Sequence, residues 1–134
     1  MELTNINSIP FIYVVDSGTI AIGGSAQTTL TMMADSRFEL VGIFGTGGAT
    51  DASEEGIVSP NNFSVQIRDQ TTGRDLMNTQ VPQRILCGNA FNGFLQRRGV
   101  VFEPQSALFF DFRNLSAAAT NRVRLSLMGY KIIL

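Results

Sequence analysis

Ser106-Ala-Leu-Phe-Phe-Asp-Phe-Arg-Asn114 and, after a polar loop, Asn121-Arg-Val-Arg-Leu-Ser-Leu-Met-Gly-Tyr-Lys-Ile-Ile133 decide the fold. In the first segment Leu108, Phe110 and Phe112 alternate with Phe109, Asp111 and Arg113. In the second, Val123, Leu125 and Leu127 alternate with Arg122, Arg124 and Ser126. Side chains along a strand point alternately to opposite faces, so each segment turns one face to a core and the other to water or a partner. Two such strands joined by a short loop are the mark of an antiparallel β protein.

Further along the second segment, the apolar parity passes through Met128-Gly129 into Tyr130, Ile132 and Leu134. A glycine at such a change predicts a β-bulge or bend that carries the chain end toward a neighbour, while the plainer reading is a mid-sheet strand covered on both faces. Upstream, Asn62 to Asp69 is the cleanest strand, with Phe63, Val65 and Ile67 on one side and Ser64, Gln66 and Arg68 on the other. Thr71-Thr72-Gly73 turns the chain, Arg74 to Met77 returns briefly, and Val81-Pro82 breaks the run before Arg84 to Cys87. Ala90 to Leu95 and Gly99 to Phe102 are short apolar pieces separated by Arg97-Arg98.

The first half repeats the pattern. Ile9 to Val15 is an apolar strand with Pro10 near its start, as suits an edge, and residues 1–8 before it form a possible N-terminal arm. Gln27 to Met33 sets Thr29 and Thr31 against Leu30 and Met32. Arg37 to Gly45 places Phe38, Leu40 and Phe44 opposite Val41 and Ile43, the pattern of a strand covered on both faces. Residues 46–61 are rich in Gly, Ala and Ser, carry Asp51, Glu54 and Glu55, and read as a long surface loop. The outcome is an all-β fold over residues 1–134: a single antiparallel β-sandwich, jelly-roll-like, of about eight strands.

At 134 residues the chain suffices for one domain with its own core. Its formal net charge of −1 offers little drive toward phosphate backbones, so no nucleic-acid partner is expected. No apolar run reaches the roughly 18 residues of a membrane span and no export signal is evident, so no membrane partner is expected and the protein reads as soluble. Cys87 is single, has no internal disulfide partner and reads as a small buried residue. Asn62-Phe63-Ser64 and Asn114-Leu115-Ser116 match the glycosylation sequon, and both asparagines read as strand-edge polar residues.

Catalytic groups are sparse. There is no histidine, which removes Ser-His-Asp and Cys-His catalysis and the commonest zinc ligand. Asp51, Glu54 and Glu55 lack the ordered spacing of a calcium loop, and the glycines of Gly42 to Gly48 lead into no Gly-Lys-Ser/Thr, so neither metal nor cofactor is expected. Val14-Val15-Asp16-Ser17-Gly18-Thr19 resembles the active-site turn of retroviral-type aspartic proteases, and Thr72-Gly73-Arg74-Asp75-Leu76 their later Gly-Arg-Asp segment. Thr71-Thr72 departs from the apolar pair that family places before Gly-Arg, and an ordinary Asp-Ser-Gly turn accounts better for Asp16.

From Asn62 onward the chain resembles the jelly-roll decoration, or cement, proteins of tailed-bacteriophage capsids. The residues concerned are Phe63-Ser-Val-Gln-Ile-Arg-Asp69, Gly73-Arg-Asp-Leu-Met-Asn78, Val81-Pro82, Phe102-Glu-Pro-Gln-Ser-Ala-Leu108, Phe112-Arg-Asn-Leu115 and Arg122-Val-Arg-Leu-Ser-Leu-Met-Gly-Tyr-Lys131. The resemblance is one of strand and turn rhythm over about half the chain. It implies a non-enzymatic virion protein, made in a bacterial host cytoplasm, that sits on the capsid exterior as a homo-oligomer, often a trimer, and clamps major capsid protein subunits. On that reading Phe91, Phe94, Phe109 and Tyr130 are candidate apolar interface residues, and Arg97, Arg98 and Arg113 candidate polar ones. The alternative is a carbohydrate-binding β-sandwich module of a phage tail or spike, although the chain has no Trp and only Tyr13 and Tyr130 as phenolic platforms. A protease using Asp16 comes third.

Overall fold

The computed structural model describes residues 8–48, 63–82, 86, 94–115 and 120–133, and for 46–48 and 94–99 the backbone alone. These residues form β1 (Ser8–Ile20), β2 (Ser25–Thr31), β3 (Ser36–Gly48), β4 (Phe63–Asp69), β5 (Arg74–Asp75), β6 (Val81–Pro82), β7 (Phe94–Phe102), β8 (Ala107–Asn114) and β9 (Asn121–Ile133). One sheet has the order β1-β9-β3-β7; the other runs β2-β8-β4-β5, with β6 also on β4. All the pairings are antiparallel. First and last strands lie side by side in one sheet while their chain neighbours β2 and β8 pair in the other, which is the jelly-roll arrangement of two wrapped Greek keys. The two-residue pieces β5 and β6 bring the strands to nine, against the eight expected.

Alternation builds the core. Phe63, Val65 and Ile67 of β4 and Leu108, Phe110 and Phe112 of β8 are buried against Tyr13, Val15, Phe38, Leu40, Val123, Leu125 and Leu127 of the facing sheet. Each fully buried Leu or Phe contributes roughly 1.5–3 kcal/mol relative to exposure. Tyr13 is edge-on to both Phe11 and Phe38, at 4.9 Å between ring centroids in each case. Its hydroxyl accepts the Met33 N–H at 3.0 Å, so the buried polar tip is satisfied. Asp69 continues the inward parity of β4 and is buried because it organises the next turn, its Oδ1 accepting the Thr71 N–H at 3.1 Å. Gly73 closes that turn at φ 75°, a backbone region that favours glycine.

Several sequence expectations need correction. Parity does not change in β9: Val123, Leu125, Leu127, Gly129 and Lys131 all face inward, and Met128 and Tyr130 face outward. The extra residue lies on the partner strand, where Leu40 pairs with Gly129 but Gly42 pairs with Met128. In β3, therefore, Phe38, Leu40 and Ile43 all reach the core and Phe44 does not. A Cβ at position 129 would overlap the Glu39 carbonyl oxygen and lie 3.1 Å from the Leu40 Cα, so the bulge brings the β3 backbone to a distance from β9 that only glycine permits.

Asp16-Ser17-Gly18 is no turn either, but a bulge within β1, since Asp16 pairs with Arg124 and Thr19 with Arg122. Ser17 Oγ accepts the Val123 N–H at 2.9 Å and so supplies an acceptor beside the irregularity. Asn114 is buried rather than at a strand edge, and its Nδ2 donates to the carbonyls of Ile20 at 3.3 Å and Ala21 at 3.1 Å. The two pieces predicted around Arg97-Arg98 form one strand, β7, in which Val100 pairs with Leu40 and Leu95 with Gly42. The expected loop is shorter at its start, because β3 runs on through Gly48, and Ser8 of the expected arm already belongs to β1. Residues 1–7 and 49–61, together with Asn62 and Cys87, lie outside the described residues.

Candidate protein interface

The two outer faces of the sandwich differ sharply. On the β1-β9-β3-β7 sheet, register aligns outward residues in rows: Pro10, Tyr130, Glu39 and Val101; Ile12, Met128 and Gly42; Val14, Ser126 and Phe44. Ile12 is 51% exposed, Val14 58%, Tyr130 41% and Val101 41%, with Met128 and Phe44 half-buried. Exposed apolar side chains grouped on one face make it the candidate interface, whereas isolated ones carry no meaning.

Glu39 stands between Tyr130 and Val101 in the first row, and the other charges stand at the margins of this face. At one end Asp16 holds Arg122 through contacts at 3.1, 3.2 and 2.7 Å, and takes a further hydrogen bond from Arg124 Nε at 3.1 Å. At the other, Arg37 Nε reaches Glu103 at 3.0 Å. An apolar centre with a charged rim is the common anatomy of a protein interface. The Arg122 guanidinium, aided by the Gly18 N–H and Arg124, holds the Asp16 carboxyl far below the usual carboxylate range despite its partial desolvation.

The opposite face, formed by β2, β8 and β4, is hydrophilic. It presents Gln27, Thr29 and Thr31, then Asp111 and Arg113, then Gln66 and Arg68, with Phe109 half-buried near the middle and Ser64 buried beneath Gln80. The sequence-derived interface residues are therefore split. Tyr130 lies on the apolar face; Phe109 and Arg113 lie on the hydrophilic one, where Arg113 is 3.8 Å from Asp111. Phe94, Arg97 and Arg98 belong to β7 in the apolar sheet, with only their backbone described, and Phe91 lies outside the described residues. Ile12, Val14, Met128 and Val101 were not among the expected residues. The signal for Ile12 and Val14 was an apolar run on both parities in a strand that Pro10 marks as an edge.

No protein-family model and no curated protein matches the chain. Among solved structures, it is similar to a chain of the cyanophage Pam1 capsid asymmetric unit at 13% identity and TM-score 0.44, over 94% of this chain and 85% of that one. It is similar to the Yersinia pseudotuberculosis-derived mitogen at 11% identity and TM-score 0.41, over 92% and 87%. It is also similar to the infectious bursal disease virus VP2 subviral particle at 9% identity and TM-score 0.36, over 92% of this chain and 38% of that one. These are distant likenesses, and the jelly-roll assignment stands on strand order and register.

Proposed function

We propose that this chain is a non-enzymatic structural protein of a virion that binds the outer surface of a phage capsid as a homo-oligomer, a trimer, and stabilises contacts between major capsid subunits. The observation that supports this reading is the apolar outer face of the β1-β9-β3-β7 sheet, where Ile12, Val14, Tyr130 and Val101 stand exposed. The sequence resemblance to capsid decoration proteins supplies the partner.

Size favours several copies acting together. Three rows across β1, β9 and β3, with β7 joining only at Val101, give a patch roughly 10 Å by 14 Å. That is well below the roughly 800 Å² per partner of a standard stable interface. A small patch holds firmly when linked copies bind at once, because each later contact forms at high effective concentration.

Light scattering on the purified protein, followed by sedimentation with undecorated capsids, tests the reading. A defined oligomer that pellets with shells is expected. A strict monomer that stays in the supernatant would overturn it.

A further inference from the structure

We infer that the hydrophilic outer face carries a binding site for a neutral sugar ring, centred on Phe109. This face has no core to complete, yet Phe109 is the only large apolar side chain that β2, β8 and β4 present there among the described residues. Around it lies a shallow cavity of about 220 Å³ lined by Gln66, Arg68, Asp75, Phe109 and Asp111. That is smaller than the roughly 300–1,000 Å³ of pockets for drug-sized ligands, and suits a single small ring.

The polar groups are held in place. Arg68 Nη1 donates to Asp75 at 3.1 Å, while Asp111 accepts from Gln27 at 2.8 Å and from Gln80 at 3.2 Å. An ionised carboxylate offers about four lone-pair positions, so Asp111 keeps acceptor capacity beyond these two bonds. Gln66 adds an amide that both donates and accepts.

Charge selects the ligand class. Arg68 is balanced by Asp75, and Arg113 stands 3.8 Å from Asp111, so a charged ligand would meet repulsion as well as attraction. A pyranose has an apolar C–H face for the Phe109 ring and a rim of hydroxyls for Asp111, Gln66 and Arg68. An aromatic plate edged with such groups meets both features. The site lies on the sheet opposite the apolar face, so its failure and that of the capsid role are separable.

The test is an NMR titration of the whole protein with glucose, galactose, mannose and N-acetylglucosamine, each alone, and with sulfate as an anionic probe. At least one sugar is expected to shift the Phe109 ring and Gln66 amide signals. Phe109→Ala should weaken that binding by about tenfold. Phe109→Tyr should retain it, and Val14→Asp on the opposite sheet should not affect it. If Phe109→Ala does not fold, Gln66→Ala serves in its place. The proposal fails if none of the sugars shifts these signals, if Phe109→Ala, or Gln66→Ala in its place, binds as well as the parent, or if sulfate gives the stronger response.

Discussion

The ammonium of Lys131 stands 4.2 Å from the centroid of the Phe11 ring, on the inward side of β9. It also lies 2.9 Å from Met33 Sδ and 3.4 Å from Asp35. Only 8% of the residue is exposed, so its four-carbon stem fills the end of the core while the charge finds the ring and the carboxylate at the mouth.

Packing, more than charge, accounts for this residue. Lys131→Ala is expected to cost about 2 kcal/mol, whereas Lys131→Met, which keeps the stem and removes the charge, should remain within about 1 kcal/mol of the parent. Urea unfolding curves of the three proteins provide the comparison. Equal loss in both variants would assign the contribution to the charge.

At Gly129 the close approach of the β3 backbone leaves no room for a methyl group. Gly129→Ala should destabilise by about 3 kcal/mol, because the obstruction is backbone rather than a movable side chain. Its unfolding midpoint, or its loss from the soluble fraction, is the readout.

Asp16 ties stability to acidity. Its carboxyl is depressed in the folded protein from the usual 3.8, mainly by hydrogen bonding to Arg122. Protons bind the unfolded state first, so the stability it contributes is fully present above that value and declines as pH falls from it. The carboxylate is about a third exposed, so screening limits the contribution to about 1 kcal/mol. Asp16→Asn should flatten this part of the stability profile, measured by urea unfolding between pH 5 and pH 2.

Val14→Asp and Ile12→Asp place a charge in the apolar face without touching the core. Folding stability should change by no more than about 0.5 kcal/mol, while self-association and sedimentation with capsids are lost. Unchanged assembly in both variants would remove this face from the interface.

Residues whose chemistry matches their face were legible in the sequence. Phe63, Val65 and Ile67, and then Leu108, Phe110 and Phe112, take the inward positions that alternation assigns them. Lys131 and Tyr130 misled for one reason: the charged residue is inside, sheltered by Phe11 and Asp35, and the aromatic one is outside on an apolar face. Alternation therefore placed the irregularity in β9, whereas pairing puts it across the ladder in β3. The interface residues were harder still. Tyr130 and Phe109 fall on opposite surfaces because β8 and β9 belong to different sheets, and partnership between strands is a long-range property that no local window contains.

The extra residue in β3 also divides that strand into two lengths of opposite phase. Phe38 and Leu40 reach the interior from even positions, and Ile43 from an odd one. Deleting Val41 would therefore remove the extra residue itself, making Leu40 opposite Gly129 and Gly42 opposite Met128 consecutive pairs. Phe38, Leu40 and Ile43 would keep their inward positions and Phe44 its outward one, on a strand without the irregularity. The frame of β3 is thus counted by its pairing with β9 rather than by residue number.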